Sequence, residues 1–126
     1  MKTLLDTHIL LWWLADDPSL PPLAKDAIAN PDVDVIVSAA SAWEIAIKRA
    51  AGRLEAPDDL LGALEANDFD SLSITVAHAL AAGGLPEHHS DPFDRMLIAQ
   101  ARTEGLTLIT VDRRFPEYDV DLLPLD

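Results

Sequence analysis

Carboxylates are the residues of this chain whose placement suggests chemistry. Asp6 follows the short apolar run Lys2-Thr3-Leu4-Leu5, and Asp112 follows a second apolar run, 106–111. Glu44 lies just beyond the β-branched segment 33–37, and Asp91 and Asp94 open a long helix-periodic segment, 92–104. Singly, each has a local explanation. Asp6 suits the cap of a following helix, and Ser41-Ala42-Trp43-Glu44 is a capping-box pattern. Asp91-Pro92-Phe93-Asp94 reads as N-cap, N1 proline and acidic N3, and Asp112-Arg113-Arg114 as an acidic turn. Jointly, four distant segments deliver carboxylates to places where a parallel sheet would bring them to one edge. Clustered carboxylates repel one another and take up protons unless a cation is present. A hard divalent cation with oxygen ligands, Mg²⁺ or Mn²⁺, suits such a cluster in a chain with no cysteine. The chemistry that follows is hydrolysis at a phosphate, in which the cation activates water and stabilises the charged transition state.

The elements that must position these acids alternate along the chain. Strands are expected at 2–5, 33–37, 71–74, 106–111 and 120–123. Helices are expected at 8–15, 23–29, 41–51, 58–66, from Thr75 to the Gly83-Gly84 pair, and at 92–104 before Gly105. Segment 8–15 is apolar all round and reads as a helix buried on most sides. Strands separated by helices, with nearly continuous apolar strands, predict an α/β fold on a mostly parallel sheet. Ligands of such sheets bind beyond the carboxyl ends of the strands, where the acids are expected.

Length and composition bound these readings. At 126 residues the chain is one domain, 1–126, with 49% hydrophobic and 25% charged residues. Nine Lys and Arg against 22 Asp and Glu give a net charge of −13, which excludes coating nucleic acid or an anionic membrane by bulk electrostatics. The absence of cysteine excludes a disulfide framework, a thiolate zinc site and thiol catalysis. The apolar stretch from Ile9 to Ala15 is far short of the ~20 residues needed to span a bilayer. A cytoplasmic protein is expected.

Four blocks carry a resemblance. Leu4-Leu5-Asp6-Thr7-His8-Ile9-Leu10-Leu11-Trp12, the segment from Ser38 to Lys48 around Trp43-Glu44-Ile45, and Asp91-Pro92-Phe93-Asp94-Arg95-Met96-Leu97-Ile98-Ala99-Gln100-Ala101 closely resemble three blocks of the PIN-domain family. Thr110-Val111-Asp112-Arg113-Arg114-Phe115 resembles the fourth. The similarity runs from residue 4 to about residue 123 in family order, and is to the VapC toxins of type II toxin–antitoxin pairs. It implies a three-layer α/β/α sandwich and a Mg²⁺-dependent endoribonuclease that leaves a 5′-phosphate and a 3′-hydroxyl. It also implies silencing by a cognate antitoxin with a basic C-terminal segment, and a homodimer. By position, Asp6, Glu44 and Asp94 match the family's acidic triad and Asp112 its fourth acid, with Asp6 and Asp94 the foremost metal ligands. Asp91 is expected as the helix cap that orients Asp94, and Thr110 as a support behind the ligands. Ser90 departs from the pattern, since many members carry a basic residue there, so a backbone contact at that position is not implied.

Other residues receive simpler expectations. The loop pair His88-His89 reads as solvated, and His8 as packed in the first helix. Trp12, Trp13 and Trp43 read as core or interface; Trp12 and Trp13 point about 100° apart on a helix, so at least one faces outward. Seven of the nine basic residues lie after residue 47, and Lys48, Arg95 and Arg113 stand beside the acids as candidates to hold phosphates. A metal-dependent ribonuclease acting on structured or translation-related RNA is the expected function. The alternative is a non-catalytic acidic module that binds a cation or a protein; a phosphomonoesterase is a third possibility.

Overall fold

The computed structural model describes residues 1–126. Four strands, β1 (Lys2–Leu5), β2 (Asp34–Ser38), β3 (Asp70–Leu72) and β4 (Thr107–Ile109), form one sheet in the order β3-β2-β1-β4. Every neighbouring pair is parallel. Leu4 stands opposite Ile36 on one side and Leu108 on the other, and Leu5 opposite Ile109. Alternation then divides the core in two. Leu4 and Leu108 pack with Leu97, Ile98 and Phe115 on one face, while Leu5, Ile109, Val35 and Val37 pack with Ile9, Leu10, Ala24 and Ile28 on the other.

The helices are α1 (Thr7–Leu14), α2 (Pro22–Ala29), α3 (Ala39–Ala50), α4 (Leu60–Ala66), α5 (Val76–Gly83) and α6 (Pro92–Glu104). α5 and α6 cover the Leu4 face, while α1, α2 and α4 cover the Leu5 face, giving the three-layer α/β/α sandwich. α3 packs against both α1 and α6, with Ala40 in one core and Ile45 in the other. α6 begins and ends as its sequence dictates: the Asp91 side chain accepts from the amides of Phe93 and Asp94 at 2.8 and 3.1 Å, and Gly105 closes it at φ 66°. Burial of its Leu97 and Ile98, both 0% exposed, contributes about 2 kcal/mol each. No helix is long and apolar enough to cross a membrane.

Four expected features differ. α3 starts at Ala39, because Ser38 rather than Ser41 caps it, accepting from the Ala40 amide at 3.0 Å. β4 stops at Ile109, since the Thr110 hydroxyl accepts the Asp112 amide at 3.0 Å and turns the chain. Segment 120–123 contributes one isolated bridge, Leu122 to Leu108, in place of a strand. α1 is buried through Thr7, Ile9 and Leu10, whereas its second half, Leu11 to Leu14, is only half-buried.

Candidate active site

The order of the strands places β1 centrally, with β2 and β4 leaving it in opposite directions. This is the switch point beyond whose carboxyl edge an open parallel sheet forms a crevice. Asp6 is the first residue past β1 and its amide donates to the Ile109 carbonyl, so the ends of β1 and β4 lie side by side. Its carboxylate is held at both oxygens. Oδ1 accepts from the Thr7 amide at 2.7 Å, capping α1, and Oδ2 accepts from the Thr110 hydroxyl at 2.7 Å.

Glu44 reaches the same place from α3. With the helix starting at Ala39, it lies in the second turn, and the expected capping box with Ser41 does not form. Its carboxylate is instead buried against α1: the Thr7 hydroxyl donates to Oε1 at 2.8 Å and lies 3.0 Å from Ser41 Oγ. Lys48, one turn on, donates to Oε2. Thr7 therefore serves both acids, its amide on Asp6 and its hydroxyl on Glu44.

Asp94 enters from the first turn of α6, with Asp91 behind it as the N-cap. Asp112 follows β4 by three residues and is gripped by Arg114, whose Nε and Nη2 donate to its two oxygens at 3.1 and 2.8 Å. Asp6, Glu44, Asp91, Asp94 and Asp112 together line one open cleft of about 460 Å³, with Lys48, Arg114 and Trp12 among its other walls. His89 touches two of these acids, with Nε2 2.7 Å from Asp94 Oδ2 and 3.6 Å from Asp112 Oδ2.

The electrostatics follow from this crowding. Burial, then the charges of Asp6, Asp91, Glu44 and Asp112, push the Asp94 carboxyl up to about 8. Burial also raises Asp6 above the usual carboxylate range, against the pull of its Thr110 and Thr7 hydrogen bonds. Asp112 is moved the other way, mainly by its hydrogen bond from Arg114. Acids that resist ionisation beside one another are the donor set a divalent cation relieves, and oxygen donors suit a hard one. The residues present therefore fit such an ion.

Several expected roles change. His88 is exposed, edge-on to Tyr118, but His89 is not solvated: it is buried at 4% exposure, against Asp94. Arg95 is not free to hold a phosphate, because its guanidinium donates to the carbonyls of Pro86, His89, Ala82 and Leu85 at 2.9–3.2 Å and pins the α5–α6 loop. Arg113 is exposed but does not line the cleft, whereas Arg114 does. His8 is exposed, 6.0 Å from the Trp12 ring. Trp13 is half-buried, its indole donating to Asn67, and Trp43 is 62% exposed against the edge of Phe93. The residues missed in the sequence are His89, Arg114, Thr7 and Ser41. The Thr7 signal was its position directly after Asp6. No local pattern marks His89, which is recruited by a contact across the α5–α6 loop.

Residues 3–121 match the model of the PIN domain. The chain is 34% identical over 118 residues, 91% of its length and 90% of the relative's, to Ribonuclease VapC22 of Mycobacterium tuberculosis. Its fold superposes on VapBC2 from Rickettsia felis bound to a promoter DNA fragment, with TM-score 0.73, 14% identity and full coverage of both chains. A toxin–antitoxin complex from Klebsiella pneumoniae aligns with TM-score 0.69 and 19% identity over 98% of each chain.

Proposed function

Because the chain belongs to the PIN-domain family, we propose that it is a Mg²⁺-dependent endoribonuclease, the toxin of a type II toxin–antitoxin pair. The observation that carries this reading is the convergence of Asp6, Glu44, Asp94 and Asp112 on one cleft, with Asp94 held up to about 8 by burial and its neighbours' charge. The 34% identity to a VapC ribonuclease supports the activity, and the toxin–antitoxin structures of the same fold support the setting.

In this reading Asp6 and Asp94 hold Mg²⁺, with Mn²⁺ as a substitute, and Glu44 and Asp112 complete the acidic ring. Bound there, a divalent cation supplies charge stabilisation at the phosphate and makes water a better nucleophile. The chain's own residues do the rest. Thr110 and the Thr7 amide hold both Asp6 oxygens in place, so no reorientation is needed when charge develops. Lys48 keeps donors free beyond its bond to Glu44, and Arg114 keeps a face beyond Asp112; both are placed to receive RNA phosphates. Hydrolysis adds one water across the P–O3′ bond, giving a 5′-phosphate and a 3′-hydroxyl.

The net charge of −13 and the acidic cleft suit an antitoxin with a basic C-terminal segment. Exposed Trp43, Ile47, Val76 and Leu80 support further protein contact, including a homodimer. Cellular RNA as substrate makes the cytoplasm its place of action. Cleavage of total RNA by wild type and Asp6→Asn, with Mg²⁺, Mn²⁺ or EDTA, tests the reading. Cation-dependent cleavage by wild type alone is expected. Equal, background-level cleavage by both proteins would leave a non-catalytic cation-binding module instead.

A further inference from the structure

We propose that His89 is a positioning residue behind this cleft: its Nε2–H holds the Asp94 carboxylate in place, and the ring is not a cation ligand. His89, Asp94 and Asp112 offer donor atoms within 4.8 Å of one another, a spacing that a bound ion would also require. The other ring nitrogen decides between the two. The Asp91 amide donates to His89 Nδ1 at 3.2 Å, so Nδ1 carries a lone pair. The tautomer assigned from these partners places the ring proton on Nε2. That proton is directed to Asp94 Oδ2 at 2.7 Å, with Asp112 Oδ2 next at 3.6 Å. Both nitrogens are committed: the Nδ1 lone pair is taken by the Asp91 amide and Nε2 carries the proton given to Asp94, so neither is left to ligate an ion.

The ring is anchored from three sides. Phe115, fully buried, meets it edge-on at 6.2 Å. Arg95 grips the His89 carbonyl and the loop before it. The Asp91 amide that fixes Nδ1 belongs to the residue that caps α6, so the cap, the histidine and Asp94 form one closed unit. Occupying Oδ2 leaves Asp94 Oδ1 for the cation and denies the carboxylate free rotation. Outer partners of metal-binding carboxylates act in this way, and their loss lowers metal affinity about 10–100-fold.

The inference rests on the proposed reading for the cation at Asp94 and on its ribonuclease activity only for the kinetic readout. Mn²⁺ affinity is measured by calorimetry on wild type, His89→Ala and His89→Gln without RNA, followed by kcat and KM on RNA. His89→Ala is expected to lose about 10–100-fold in Mn²⁺ affinity, with kcat falling and KM for RNA unchanged. His89→Gln, whose amide N–H replaces Nε2–H, is expected to recover most of both. Nitrogen NMR of the wild-type ring should show the Nε2–H tautomer without metal and at saturating Mg²⁺. A ring that loses its Nε2 proton on Mg²⁺ loading, an Nδ1–H tautomer in the metal-free protein, or wild-type Mn²⁺ affinity in His89→Ala each overturns the proposal. So does a wild type that binds neither cation. Should His89→Ala not fold, the wild-type NMR decides alone. Wild type that binds Mn²⁺ with the tautomer retained, yet cuts no RNA, sinks the ribonuclease reading and leaves this one standing.

Discussion

Replacing Asp94 by asparagine should stabilise the metal-free protein at neutral and alkaline pH. The Asp94 carboxyl rises from 3.8 to about 8 on folding, through burial and four neighbouring acids. Below about pH 4 the group is protonated in both states and has no effect on stability. Between 3.8 and about 8 the unfolded chain releases the proton first, so stability falls as pH rises, and the full penalty is present above about 8. At pH 7 the ceiling is about 4 kcal/mol, from about 1.4 kcal/mol for each pH unit above 3.8. The cleft is open to solvent, and screening reduces this to about 1–2 kcal/mol. Asparagine never ionises, so the variant should melt about 4–8 °C above wild type in EDTA at pH 8, and the gap should close toward pH 4. Mg²⁺ should reverse the order, because a cation at about a hundred times its Kd stabilises wild type by about 2.7 kcal/mol and the variant, lacking one carboxylate, by far less. Thermal unfolding followed by circular dichroism across pH 4–9, with and without Mg²⁺, measures all of this. An Asp94→Asn protein that melts below wild type in EDTA at pH 8 would falsify the electrostatic account of the cleft.

Three further perturbations separate roles. Thr110→Val removes the donor to Asp6 Oδ2 and the acceptor of the Asp112 amide; RNA cleavage should fall about 10-fold or more and stability by about 1–3 kcal/mol, and Thr110→Ser should restore both. Arg95→Ala takes donors from three loop carbonyls and the Ala82 carbonyl of α5 and should cost about 2–3 kcal/mol in urea unfolding. A rise in KM at unchanged stability would instead return Arg95 to the phosphate-binding role. Arg114→Ala should raise KM for RNA and lower the salt dependence of binding by about one ion, measured by fluorescence anisotropy with a non-cleavable RNA.

The sequence carried most of the fold because its boundaries are local. Asp91-Pro92 and Gly105 bracket α6 without help from the rest of the chain, and both ends fall where cap chemistry requires. The misplaced boundaries are the ones that tertiary contacts decide. Ser38 and Ser41 are both competent caps, and Ser38 wins because it ends a strand whose register is set against β3. Ser41 is thereby carried inside the helix, toward Thr7. Thr110 looked like strand, but its hydroxyl is used on Asp6 and on the Asp112 amide, so the ladder stops one residue earlier. The acids were legible because each sits beside a strand end or a cap. His89 and Arg95 were not, since a histidine in a polar loop and an arginine on a polar helix face look the same whether they meet water or a folded-back loop.

The hydrogen bond between Thr110 and Asp6 joins residues 104 apart in sequence. The central strand of the sheet is synthesised first, and its β4 neighbour last. A ribosome that has made β1, β2 and β3 has produced only Asp6 and Glu44 of the four acids, with no Thr110 to orient Asp6 and no α6 to face it. Closing the cleft therefore waits on the most non-local pairing in the sheet, the slow kind of contact in folding. A product truncated before α6 carries two of the four acids and neither wall that faces them, so the cleft exists only once β4 has paired with the first strand.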